Sequence, residues 1–173
     1  MAFTPYLDPR LAVVAYRAPI EYGFGGYAWF GIEWLPEGRR VDVAEAQASL
    51  TRLVDELEGL RDELKPKRLV LGGFSQGAMM SLGVALDRPD LIDGGLLMSG
   101  HPWPSVAEGL TALPFLVQHG VRDDVLPVES GRQVRDVLVG RGAEVDYREY
   151  PMGHEVSMAS LQDAIAWLGR FMR

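Results

Sequence analysis

An apolar run that stops at a serine and restarts as a helix constrains this chain more than any other feature. Leu69, Val70 and Leu71 form the apolar centre of a strand over residues 68–73, and Gly73-Phe74-Ser75-Gln76-Gly77 follows. Residues 76–86 then read as a helix with small residues early, closed by Pro89. A serine forced into a tight turn between strand and helix needs small neighbours, and Gly73 and Gly77 bracket it at two-residue spacing. A strand that feeds a helix this directly belongs to a parallel α/β sheet.

The rest of the chain repeats that alternation. A strand is expected over residues 11–16, closed by Pro19, and a Gly- and aromatic-rich loop over 22–34. Asp42 can cap a helix whose apolar positions are Val43, Ala46, Leu50, Leu53, Leu57, Leu60 and Leu64. Those steps of three and four make one stripe, and Pro66 ends it. Further strands are expected over 94–99, 114–119 and 145–150, the last alternating and nearer an edge. Helices are expected over 128–139 and 160–172, the second with Leu161, Ile165, Leu168 and Phe171 on one face. With no internal repeat and no linker, the reading is one α/β domain over residues 1–173. Its sheet is mainly parallel, has about five strands and is flanked by helices.

Composition removes several classes of function. A net charge of -7 argues against nucleic acid or an anionic membrane as a standing partner. The chain has no cysteine, so disulfides, thiolate metal sites and a cysteine nucleophile are excluded. That absence fits a reducing cytoplasm, the expected location. Residues 1–10 lack the long apolar core of a signal peptide, and no run approaches the roughly 20 apolar residues of a membrane span.

The serine turn carries chemistry. Its hydroxyl would project above the carboxyl edge of the sheet, and the backbone N–H of Gln76, at a helix N-terminus, can donate to a developing oxyanion. A serine hydroxyl needs a base, usually a histidine oriented by a carboxylate. Of three histidines, His154 in Pro151-Met152-Gly153-His154-Glu155 follows the last strand, and the chain order serine, acid, histidine favours it. His119, at a strand end, reads as buried and structural; His101 either lines the pocket or is solvated. The acid should come from Val121-Arg122-Asp123-Asp124-Val125, where two adjacent carboxylates compete and strand-edge position does not separate them. No metal-ligand spacing and no phosphate loop of the G-x-x-x-x-G-K-S/T type are present. The run Gly23-Phe24-Gly25-Gly26 reads as a flexible loop. The aromatics Tyr22, Phe24, Tyr27, Trp29, Phe30 and Trp34 form either a lid over an acyl pocket or a loop packed on the surface.

These residues resemble the phospholipase/carboxylesterase family, related to acyl-protein thioesterases, over nearly the whole chain. The likeness runs through Arg17-Ala18-Pro19, Tyr27-Ala28-Trp29-Phe30 and Gly72-Gly73-Phe74-Ser75-Gln76-Gly77-Ala78. It continues through His119-Gly120, Asp123-Asp124, Pro127 and Gly153-His154-Glu155. The resemblance implies an α/β-hydrolase fold, a Ser75, His154 and Asp123 triad and hydrolysis of short-chain or aryl carboxylic esters, with thioesters as further substrates. It also implies that no cofactor is needed. Relative to the family, the chain is truncated at its N-terminus: a strand ending in His-Gly-x-Gly, which supplies a second oxyanion N–H, is missing. A backbone N–H near Gly25 is the expected substitute, and Trp29 the expected substrate contact. Loss of one such donor typically costs about 10²–10³ in kcat, so a weakly active or purely binding relative is the alternative. An upstream reading frame encoding the missing strand is a third reading. Without that strand, the segments 11–16 and 68–73 must pair directly, leave a gap or accept a strand from another chain. Direct pairing puts the three connecting helices on one face, with only the C-terminal helix for the other. A homodimer covering the exposed face or edge is therefore expected.

Overall fold

The structure, a computed structural model, describes residues 4–23, 25–35, 38–103 and 112–172. Its centre is a four-stranded parallel sheet of β5 (Val70–Phe74), β6 (Gly94–Met98), β7 (Pro114–Gly120) and β8 (Glu144–Tyr150), side by side in chain order. Ahead of it lie two short antiparallel hairpins. One is β1 (Ile20–Tyr22) with β2 (Gly26–Ala28), the other β3 (Ile32–Leu35) with β4 (Gly38–Val41). The α-helices among the described residues are α1 (Val43–Leu64), α2 (Gln76–Asp87), α3 (Val128–Gly140) and α4 (Met158–Leu168).

Two expectations need correction. Residues 12–18 have no regular secondary structure and join no ladder among the described residues, so β5 is an edge strand and the sheet has four strands rather than five. Val13 and Val14 are exposed, so this segment lacks the buried neighbour that would hold it in a sheet. The expected loop over 22–34 contains strands instead: Tyr22 pairs with Gly26 across a tight turn, and Gly25 takes the positive φ of 79° that the turn requires.

The faces of the sheet are filled as its strand register dictates. Leu71, Leu97, Phe115 and Val117 point into the larger core with α1, α2 and α3. Their neighbours Val70, Leu96 and Leu116 face the other way, against Ala164 and Trp167 of α4. The three helices thus share one face, and α4 covers the other. Helix α1 starts where Asp42 accepts the Glu45 N–H at 3.0 Å. Its stripe is buried only in the middle, at Ala46, Leu50, Leu53 and Leu57, and is exposed at Val43 and Leu64. Phe30, fully buried, plugs this core and meets Trp103 edge-on at 6.4 Å between ring centroids. Phe30→Ala is expected to cost about 3–5 kcal/mol in urea unfolding.

Candidate active site

Strand β5 ends in a strained turn. Ser75 has φ 56° and ψ −120°, a conformation that a residue with a side chain adopts only when its surroundings force it. The turn is pinned from below by the Ser75 N–H, which donates to Met98 C=O at 2.9 Å. On the far side the Ser75 carbonyl accepts from Ala78 and Met79 and so starts α2. The glycines that bracket Ser75 have different reasons to be there. A Cβ on Gly73 would lie 2.3 Å from the Gly77 carbonyl carbon, whereas a Cβ on Gly77 would meet nothing within 4 Å.

Three chain segments converge on the Ser75 hydroxyl at the carboxyl edge of the sheet. His154 Nε2 lies 2.9 Å from Ser75 Oγ, and His154 Nδ1 lies 2.7 Å from Asp123 Oδ2. A carboxylate only accepts, so Nδ1 carries the proton and Nε2 is left to accept from the serine. Phe74, the residue before the serine, stacks obliquely on the His154 ring at 4.7 Å. The Asp123 and His154 loops are joined to each other: Val121 and Arg122 donate to Tyr150 and Met152 carbonyls at 2.9 and 3.0 Å. Gly120 permits this, since a Cβ there would sit 2.4 Å from Met152 O.

Asp123 is buried and its neighbour Asp124 is exposed, which settles the geometric choice between them. Burial pushes the Asp123 carboxyl up. The Leu126 N–H, the His154 ring and the Val125 N–H outweigh that and hold it below the ordinary carboxylate value of 3.8. A depressed carboxyl contributes stability that is fully present above that ordinary value and is lost as pH falls through the lower folded-state value. A fall in activity with its midpoint above pH 3.8 is therefore expected to come from a group other than Asp123.

Gln76 combines two positions. Its backbone N–H opens α2, where the first amides have no intrahelical acceptor. Its side chain reaches across to the segment after β2: Oε1 accepts from Trp29 N–H and Nε2 donates to Phe30 C=O, both at 2.9 Å. The Trp29 carbonyl accepts from Ser49 Oγ–H, and Gly31 N–H donates to Glu45. Sequence patterns do not reveal this latch, because it joins residues 47 positions apart.

The remaining expected residues are placed as follows. Gly25 sits exposed at the β1–β2 turn, and among the described residues no hydrogen bond ties it to Ser75, His154 or Asp123. Trp29 is half-buried and borders a cleft of about 400 Å³ between residues 15–19 and α1. Phe30 is core rather than lid, and Tyr22 is exposed. Phe24 and the Trp34 side chain lie outside the described residues. His119 is buried, with Nε2 2.7 Å from Leu126 O. His101 is half-buried beside Ser130 Oγ at 3.0 Å. Among the described residues no group of carboxylates and histidines is arranged to hold a metal, and no helix is long and apolar enough to cross a membrane.

A parallel sheet with helices on both faces, a strained serine between strand and helix and a histidine loop beyond the last strand define an α/β-hydrolase fold. The fold is shared with a carboxylesterase from Mesorhizobium loti, at a TM-score of 0.78 and 20% identity over 88% of this chain and 73% of that one. In sequence, residues 12–171 match the phospholipase/carboxylesterase family, and the chain belongs to it. Acyl-protein thioesterase 1 of Kluyveromyces lactis is 28% identical over 91% of this chain and 74% of its own length. A probable carboxylesterase of Arabidopsis thaliana, SOBER1-like, is 28% identical over 90% of this chain and 64% of its own.

Proposed function

We propose that the protein is a serine hydrolase that cleaves short-chain or aryl carboxylic esters and acyl thioesters. The observation that carries this reading is the continuous line from Ser75 Oγ through His154 to Asp123, with hydrogen bonds of 2.9 and 2.7 Å. His154 takes the hydroxyl proton as Ser75 Oγ attacks the acyl carbonyl, and Asp123 stabilises the imidazolium that forms. The oxyanion develops against the Gln76 N–H. Collapse of the tetrahedral intermediate expels the alcohol or thiol, which takes the proton from His154. Water activated by the same histidine then releases the acid. The names of the relatives support both ester and thioester substrates.

A fluorophosphonate probe should label Ser75, located by peptide mass, and p-nitrophenyl butyrate and a butyryl thioester should both turn over. If neither labelling nor turnover occurs, the protein is a binding relative that has kept the triad without its chemistry. The proposal includes a cytoplasmic location, with which a chain without cysteine is compatible. It also includes a homodimer, the second copy covering the edge of β5 that is unpaired among the described residues. Light scattering that reports a monomer at every concentration would rule out the dimer.

A further inference from the structure

We propose that His119 is a positioning residue of the active site, holding the Asp123 carboxylate in register with His154; this rests on the triad reading above. His119 closes β7 and is fully buried. Its Nε2–H donates to the Leu126 carbonyl at 2.7 Å. That bond draws the chain after Asp123 back over its carboxylate, so that Val125 and Leu126 present their N–H groups to Oδ1 at 3.0 and 2.8 Å. The same Nε2 lies 3.5 Å from Oδ2, the oxygen that accepts from His154. The protonated edge of one imidazole and the Nδ1–H of the other therefore flank one carboxylate oxygen.

Two further features show a ring kept for its donor. With the proton on Nε2, Nδ1 is a bare acceptor, and it is buried with no hydrogen-bond partner among the described residues. A slot that only needed filling would favour an apolar side chain of similar size, since an unpaired buried acceptor is unfavourable. The slot is also shaped to the ring. A Cβ on Gly131 of α3 would lie 2.6 Å from Nδ1, so β7 and α3 clamp the imidazole in one orientation.

The sequence of contacts predicts a specific defect. Without the His119 donor, the Leu126 carbonyl is released, the loop relaxes and Oδ2 loses its aim at Nδ1 of His154. These atoms lie behind His154, away from the Ser75 hydroxyl that meets the acyl group in the proposed reaction, so the loss is expected in kcat rather than in KM.

The test compares His119→Leu, His119→Gln and Gly131→Ala with the wild-type chain. It uses p-nitrophenyl butyrate kinetics and the downfield proton resonance of the His154 Nδ1–H. For His119→Leu, kcat should fall about 10²-fold, as a misplacement of roughly 1 Å costs, with KM near the wild-type value and the downfield signal lost. His119→Gln, whose amide can still donate to Leu126, should recover most of both. Gly131→Ala, which pushes the ring, should behave as the leucine variant does, so the proposal stays testable if His119→Leu does not fold. Unchanged kcat in His119→Leu or Gly131→Ala would overturn the proposal, as would glutamine and leucine variants that lose activity and signal alike. If the wild-type chain shows no turnover, the esterase reading fails. The resonance then decides the positioning role by itself: it persists in the leucine variant only if His119 does not position Asp123.

Discussion

Ser75→Ala is expected to lower kcat on p-nitrophenyl butyrate by about 10⁶-fold with little change in melting temperature, and Asp123→Asn by about 10⁴-fold. The serine variant removes the attacking oxygen, and what remains is whatever the oxyanion N–H and substrate binding supply. The asparagine variant keeps the shape of the site but reverses a hydrogen bond. Oδ2 now accepts from His154 Nδ1 at 2.7 Å, whereas an amide nitrogen there would donate. The amide can also turn its nitrogen away, but it then faces the Val125 and Leu126 N–H groups, which already donate to Oδ1. Turning away opposes the amide nitrogen to two donors, so the first arrangement is preferred, and there the amide favours the His154 tautomer with its proton on Nε2 rather than the one with a bare Nε2. The Ser75→Ala and Asp123→Asn double variant should be no slower than Ser75→Ala alone, because the three groups act as a unit. Equal rates for wild type and Ser75→Ala would remove Ser75 from the mechanism.

Gly73→Ala is expected to destabilise the fold by more than about 4 kcal/mol, seen as loss of the cooperative urea transition. The added methyl would overlap backbone atoms of Gly77 and Ala78 at 2.3–2.8 Å, and backbone cannot step aside as a flexible side chain can. Opening that contact means unwinding the start of α2, which also carries the Gln76 N–H. Gly77→Ala is the control. Its Cβ meets nothing, and alanine in a helix is favoured over glycine by about 1 kcal/mol, so this variant should be no less stable than wild type. Equal destabilisation by the two substitutions would contradict the asymmetry of the turn.

Much of this was legible from local pattern. The expected strand and helix boundaries from α1 to β8 lie within two residues of those observed, because apolar period, caps and prolines all act over a few residues. Residues 11–16 show where that logic stops. Their Val- and Ala-rich pattern is strand-like, but a strand needs a partner, and partners are not local. The two hairpins before α1 were hidden for the opposite reason. Their strands are three or four residues long, too short to show alternation against a glycine-rich background.

By itself, the sequence determined a parallel α/β chain with a serine at a strand-to-helix turn and a histidine beyond the last strand. Those are properties of neighbouring residues. Tertiary structure decided which of Asp123 and Asp124 faces that histidine, because the choice depends on how the loop closes through Leu126 and His119. It also decided that Gly73 and not Gly77 is required by contact, because that depends on which backbone the missing side chain would strike. The elbow was visible as a pattern; its strain, its support and its acid come from segments the chain brings together only by folding.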